Sequence, residues 1–132
     1  MAKGKEPSQR QLRVGELVRH ALTTVLQRGE ARAPELQTAV LSVSEVAMSP
    51  DLKHATAYVS ALGMDDEREA VLIRALNEEA PHLRHAAAPH LNHMKTLPQF
   101  RFKPDTSYEN YARIDALLAR PQVRADIESD ED

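Results

Sequence analysis

The chain has 132 residues, of which 42% are hydrophobic, enough for one core and too short for two domains. It has no cysteine, which excludes a disulfide framework, a thiolate metal site and a cysteine nucleophile, and no run approaches the roughly 20 apolar residues that cross a bilayer. The formal charge of -3 is unevenly placed: the last twelve residues hold Asp126, Glu128, Asp130, Glu131 and Asp132 against Arg124, which leaves the preceding chain slightly positive.

The polar start Met1-Ala2-Lys3-Gly4-Lys5 has no apolar signal core behind it, so a cytoplasmic location and no membrane partner are expected. Residues 1–7 are expected to be disordered, because polar segments bury too little to offset the entropy of ordering. Ser8 and Gln11 have capping-box spacing, and Val14, Leu17, Val18, Ala21, Leu22 and Val25 recur with helical period. A helix over 8–28 follows, ended by Gly29 and carrying Arg10, Arg13, Arg19 and Arg28 against Glu16.

From Thr38 to Met48 the period shortens to two, which predicts a strand; Val46 and Met48 fall out of phase with Leu41 and Val43 unless a bulge sits near Ser44-Glu45. Ser49-Pro50-Asp51 is turn chemistry, and Ala55, Ala57, Val59 and Ala61 alternate with Thr56, Tyr58 and Ser60 in a second strand, completing a hairpin. Asp65 or Asp66 caps a second helix with an acidic first turn and an inner stripe of Ile73, Leu76, Ala80 and Leu83. Pro81 and Pro89 bracket its end, predicting a kink at Ala86 to Pro89 and a short third helix using Leu91 and Met94. Pro98 to Lys103 reads as a third strand with Phe100 and Phe102 inward and Arg101 and Lys103 outward. Asp105-Thr106-Ser107 caps a last helix with Tyr111, Ile114 and Leu118 inside and Pro121 as its stop; the acidic residues 121–132 are expected to be disordered.

Asp65 to Glu79 holds six acids and two arginines, whereas Ala80 to Lys103 holds Arg84, Lys95, Arg101 and Lys103 and no acid. Cations without neighbouring carboxylates suit a phosphate backbone, and Ala86-Ala87-Ala88 would let it come close to the N-terminus of the third helix. The same pattern also fits an ordinary solvated face with a tight alanine crossing. His82, His85, His90 and His93 pair at i, i+3, but no carboxylate or cysteine lies in the run, so surface histidines are the simpler reading than zinc. Ser49, Ser60, Ser107 and the aspartates are read as turn or cap residues with local structural roles, and the four glycines are scattered, so neither an active site nor a cofactor is expected.

Three stretches together resemble the ribosome-binding factor A family: 13–19 (Arg-Val-Gly-Glu-Leu-Val-Arg), 43–60 from Val43 through Ser49-Pro50-Asp51 to Ser60, and Leu97-Pro98-Gln99-Phe100-Arg101-Phe102 leading to Asp105-Thr106-Ser107. The likeness runs over about residues 8–120, taken here as one RNA-binding domain. It implies an α+β two-layer sandwich of type II KH-like fold, in order α-β-β-α-kink-α-β with an additional C-terminal helix. In that family a helix-kink-helix centred on an alanine replaces the glycine-rich loop. It further implies a monomeric, non-enzymatic protein that binds the 16S rRNA of free small (30S) subunits late in assembly, supports maturation of the rRNA 5′ end and matters most in the cold. The family's Asp-Pro-Arg before the first strand is Ala33-Pro34-Glu35 here, an anion for a cation, and Pro89 near the expected kink has no glycine beside it. The candidate RNA-binding residues are Arg10, Arg13, Arg19, Arg28, Lys53, Arg84, His85, Ala87, Lys95, Arg101 and Lys103. The alternative is an adaptor that docks on a ribosomal protein or processing factor through the sheet edge or the acidic second helix.

Overall fold

The computed structural model describes residues 6–105. Helix α1 spans Gln9–Gln27 and begins as its capping residues dictate: Ser8 Oγ accepts the Gln11 N–H at 3.1 Å, and Gln11 Oε1 accepts the Ser8 N–H at 2.8 Å. It closes at Gly29, whose φ of 70° is left-handed. A short helix not anticipated above, α2, spans Pro34–Thr38. Its entry is fixed from a distance, because the Glu79 carboxylate accepts the N–H groups of Arg32 and Ala33 at 2.6 and 2.7 Å.

Strands β1 (Leu41–Met48) and β2 (His54–Ala61) form the expected antiparallel hairpin, with the register shift between Val43 and Glu45. The bulged Ser44 gives its hydroxyl to the Tyr58 carbonyl at 3.2 Å. The bulge returns Val46 and Met48 to the buried side with Val43. The connecting turn is stitched by Asp51, whose carboxylate accepts Ser49 Oγ at 2.6 Å and the Lys53 N–H at 3.0 Å. Those two hydrogen bonds hold the Asp51 carboxyl below the usual carboxylate range.

Helix α3 (Asp66–Glu78) is capped by Asp65 and followed, after the single residue Glu79, by α4 (Ala80–Ala87). The kink therefore lies at Glu79, beside Ala80, and not at Ala86 to Pro89. Pro81 occupies the first turn of α4, where the missing N–H costs no hydrogen bond, so it starts a helix instead of bending one. The expected third helix is also absent: Ala88–His90 form one 3-10 turn, and Leu91 folds into the core without a further helix before β3 (Gln99–Pro104). The predicted C-terminal helix and acidic tail lie outside the described residues.

β3 pairs parallel to β2, so the sheet order is β1-β2-β3. All the described helices cover one face: Val18, Leu22, Val25, Leu76, Leu83 and Leu91 meet Ala57, Val59 and Phe102 there, each at most 1% exposed. Phe100 and Phe102 pack edge to face at 6.4 Å within this layer, an arrangement that contributes about 0.5–1.5 kcal/mol beyond area burial. Among the described residues the result is a two-layer α+β arrangement that leaves one sheet face open.

Candidate nucleic-acid interface

The direction of α1 decides which cations can act together. Gln11 Nε2 donates to the Met48 carbonyl at 3.0 Å, and Gly15 lies against the Val46 carbonyl, so α1 runs antiparallel to β1 and starts at the β1–β2 turn. Arg10 and Arg13, both exposed, therefore stand at that end of the domain. Helical geometry turns them to the flank opposite the one that carries Gln11 and Gly15, toward α4.

The same end receives three more segments. Lys53, exposed in the turn, gives its carbonyl to the Gln99 N–H at 2.8 Å, which seats the start of β3 beside it. α4 begins near the end of α1, where a His82 ring nitrogen meets the Glu30 carbonyl at 2.8 Å, and it runs back toward the turn end with His85 exposed. The loop from Leu91 to Pro98, which leads into Gln99 at this end, carries the exposed Lys95 and His93 and follows His90. Arg10, Arg13, Lys53, His85 and Lys95 thus share the turn end. The acids in their neighbourhood are Asp51, held within the turn, and Glu6 ahead of α1.

The remaining predicted residues go elsewhere. Arg19 lies on the other flank of α1 in a two-point ion pair with Glu16, at 2.9 and 3.0 Å, which raises the arginine pKa and lowers that of the glutamate. Arg28 caps the far end of α1, about 27 Å along the axis from Arg10. Arg84 is at the turn end but spends its guanidinium on the carbonyls of Pro98 and Leu97, at 3.0 and 2.8 Å, fastening α4 to the entry of β3. Ala87 is 0% exposed, so its methyl belongs to the core and cannot approach a ligand. Arg101 and Lys103 project from the open face of the sheet, away from the helices. The single positive face expected from the sequence is therefore two surfaces, one at the turn end and one on the sheet.

Beside the kink, a groove of about 330 Å³ is lined by Ala80, Pro81, Arg84, Gln99 and Phe100. Ala80, and not Ala86-Ala87-Ala88, is the small residue that lines this groove. Backbone polar groups alternate sides along a strand, and Gln99 turns its N–H to β2, so Phe100 and Phe102 turn theirs outward. Asn77 closes the Phe102 pair, accepting its N–H at 2.8 Å and donating to its carbonyl at 2.9 Å. The Phe100 pair faces the groove. Tyr58, which was not among the residues singled out in the sequence, stands partly exposed on the polar parity of β2. Among the described residues no cluster of histidine and carboxylate ligands stands ready for a metal ion, and no helix is long and apolar enough to cross a membrane.

Comparison with known proteins agrees with this architecture. The family model "Ribosome-binding factor A" matches residues 10–118. A ribosome-binding factor A from Sinorhizobium medicae is 55% identical over 126 residues, covering 96% of this chain and 92% of the relative. The crystal structure of ribosome-binding factor A from Thermus thermophilus is 26% identical, covers 71% of this chain and 94% of its own, and superposes with a TM-score of 0.56. A Thermus thermophilus ribosome binding factor A fitted into a cryo-EM map of its 30S complex is 24% identical, with 73% and 96% coverage and a TM-score of 0.56. The KH-like arrangement of sheet and kinked helices, with the match along most of its length, makes this chain a member of the ribosome-binding factor A family.

Proposed function

We propose that this protein binds free small ribosomal subunits through their 16S rRNA and acts late in subunit maturation without catalysing a reaction. The observation that carries the reading is the gathering of Arg10, Arg13, Lys53 and Lys95 at the turn end from three separate segments, with ion-pair partners for none of them among the described residues. Phosphates are the natural counterpart of such a surface, because each neutralised phosphate releases condensed counterions. The 30S complex of the Thermus relative supports the choice of particle. The groove between Ala80 and Phe100 offers a nucleotide two backbone polar groups and no carboxylate.

In this role the protein holds an immature rRNA conformation by backbone contacts while the 5′ end is processed, a task most needed in the cold, when RNA misfolds are slow to escape. It works as a cytoplasmic monomer. The test is co-sedimentation of the full chain with free 30S subunits and with whole ribosomes. Wild-type protein is expected to pellet with free subunits only, and Arg10→Glu/Arg13→Glu/Lys53→Glu/Lys95→Glu to stay in the supernatant at 100 mM or so of monovalent salt. Retention of the quadruple variant on 30S particles rules out the turn end as the contact.

A further inference from the structure

The sheet face turned away from the helices has no place in the scheme above, yet its chemistry is specific. Tyr58 sits on the central strand, half-exposed, with Lys103 as its register partner on β3; one pleat away Thr56 is partnered by Arg101. Arg101 and Lys103 are exposed, and neither has a side-chain partner among the described residues. One acid lies on the face itself, Glu45, the register partner of Tyr58 on β1 and on the opposite side of it from Lys103, and Asp105 follows the end of β3. Between the strand ends the other outward residues are serines and Ala47. The exposed apolar side chains Val40 and Leu62 lie beyond the strands, at the end away from Arg101.

We infer that this open face is a second binding site, for single-stranded RNA, in which an unpaired base stacks on the Tyr58 ring while Arg101 and Lys103 hold the flanking phosphates. The inference rests on the proposed RNA-binding function and extends it to a surface separate from the turn end. A single strand is favoured over a duplex because a side-chain ring standing on a sheet can stack only on a base that is free of its neighbours. A nucleic acid is favoured over a protein because a protein-binding core is depleted in charge and rich in large apolar groups, whereas this face pairs one aromatic with two unneutralised cations. Arg101 and Lys103, two residues apart on one strand, stand about 6.6 Å apart along the backbone, so they meet successive groups of an extended chain.

The experiment is fluorescence anisotropy of fluorescein-labelled decauridine with the full chain, alongside co-sedimentation with free 30S subunits. Stacking on an aromatic is worth about 1–3 kcal/mol per base, so Tyr58→Ala is expected to weaken decauridine binding by at least about fivefold, while Tyr58→Phe stays within about twofold. Arg101→Glu/Lys103→Glu, two changes at exposed positions that leave the core intact, is expected to cost about tenfold or more. Decauridine binding unchanged by Tyr58→Ala and by the double reversal overturns the inference while leaving the turn-end reading in place. A loss confined to 30S subunits also overturns it, since the face then meets a protein. Wild-type chain that binds neither probe defeats the RNA-binding function itself, an outcome distinct from either.

Discussion

Gly15 is the residue at which helix propensity and packing disagree. In a helix interior glycine is about 1 kcal/mol worse than alanine, so propensity alone predicts that Gly15→Ala stabilises the protein. A Cβ there would lie 2.5 Å from the Val46 carbonyl oxygen, a backbone atom that cannot swing aside. Overpacking of this kind costs about 1–3 kcal/mol or more, and it also lifts α1 from β1. Gly15→Ala is therefore expected to lower stability by about 1–2 kcal/mol in urea denaturation, the opposite sign to the propensity argument. Asp51 offers a second test at the same scale. Its carboxyl is held below the ordinary range by Ser49 and the Lys53 N–H, so the folded protein binds that proton less readily than the unfolded chain. The resulting stability is present above the unfolded carboxylate pKa and is lost as pH falls through the lower folded value. The melting-temperature gap between wild type and Asp51→Asn should accordingly be constant near neutrality and close below about pH 4.

At the scale of elements, what could be read from the sequence was whatever local pattern determines. The capping box at Ser8, the parity change at Ser44 and the alternation of Phe100 and Phe102 are local, and the structure realises all three. The break in the second helix is not local in that sense. Two prolines signalled an interruption, but either can begin a helix, and the chain uses Pro81 for that purpose while Glu79 supplies the bend. Glu79 is also taken by α2, 46 residues earlier in the chain, and no short window of sequence carries that contact. The cations were likewise visible, but whether they share a surface depended on the course of α1 and on β3 pairing beside β2. The Asn77 amide is a further long-range link, since it is what holds α3 to the outer edge of β3. Asn77→Ala leaves two strand groups unpaired and should cost about 1–3 kcal/mol. Hydrogen exchange should locate the loss: the Phe102 amide is expected to exchange faster, while that of Gln99, bonded to Lys53, keeps its protection.

For the whole molecule, the division into two charged surfaces makes a quantitative statement about salt. Each neutralised phosphate contributes about 0.7–0.9 to the slope of log affinity against log salt, single strands lying at the lower value. If Arg10, Arg13, Lys53 and Lys95 at the turn end and Arg101 and Lys103 on the sheet each meet one phosphate, the six contacts give an expected slope of roughly -4 to -5 for the proposed complex with free small subunits. Neutralising the turn-end four should reduce its magnitude by about 3, and neutralising the sheet pair by about 1.5. Arg10 and Arg13 stand on the helix side and Lys103 on the open face, so if the two sets act independently their losses in binding free energy should add, as they do for sites well separated in space. One continuous face would behave differently, because removing the central charges would release the RNA from the rest and the second set of substitutions would then cost little. A slope unchanged by the turn-end substitutions would mean that the four cations are merely solvated, and that the particle is held by contacts other than phosphate.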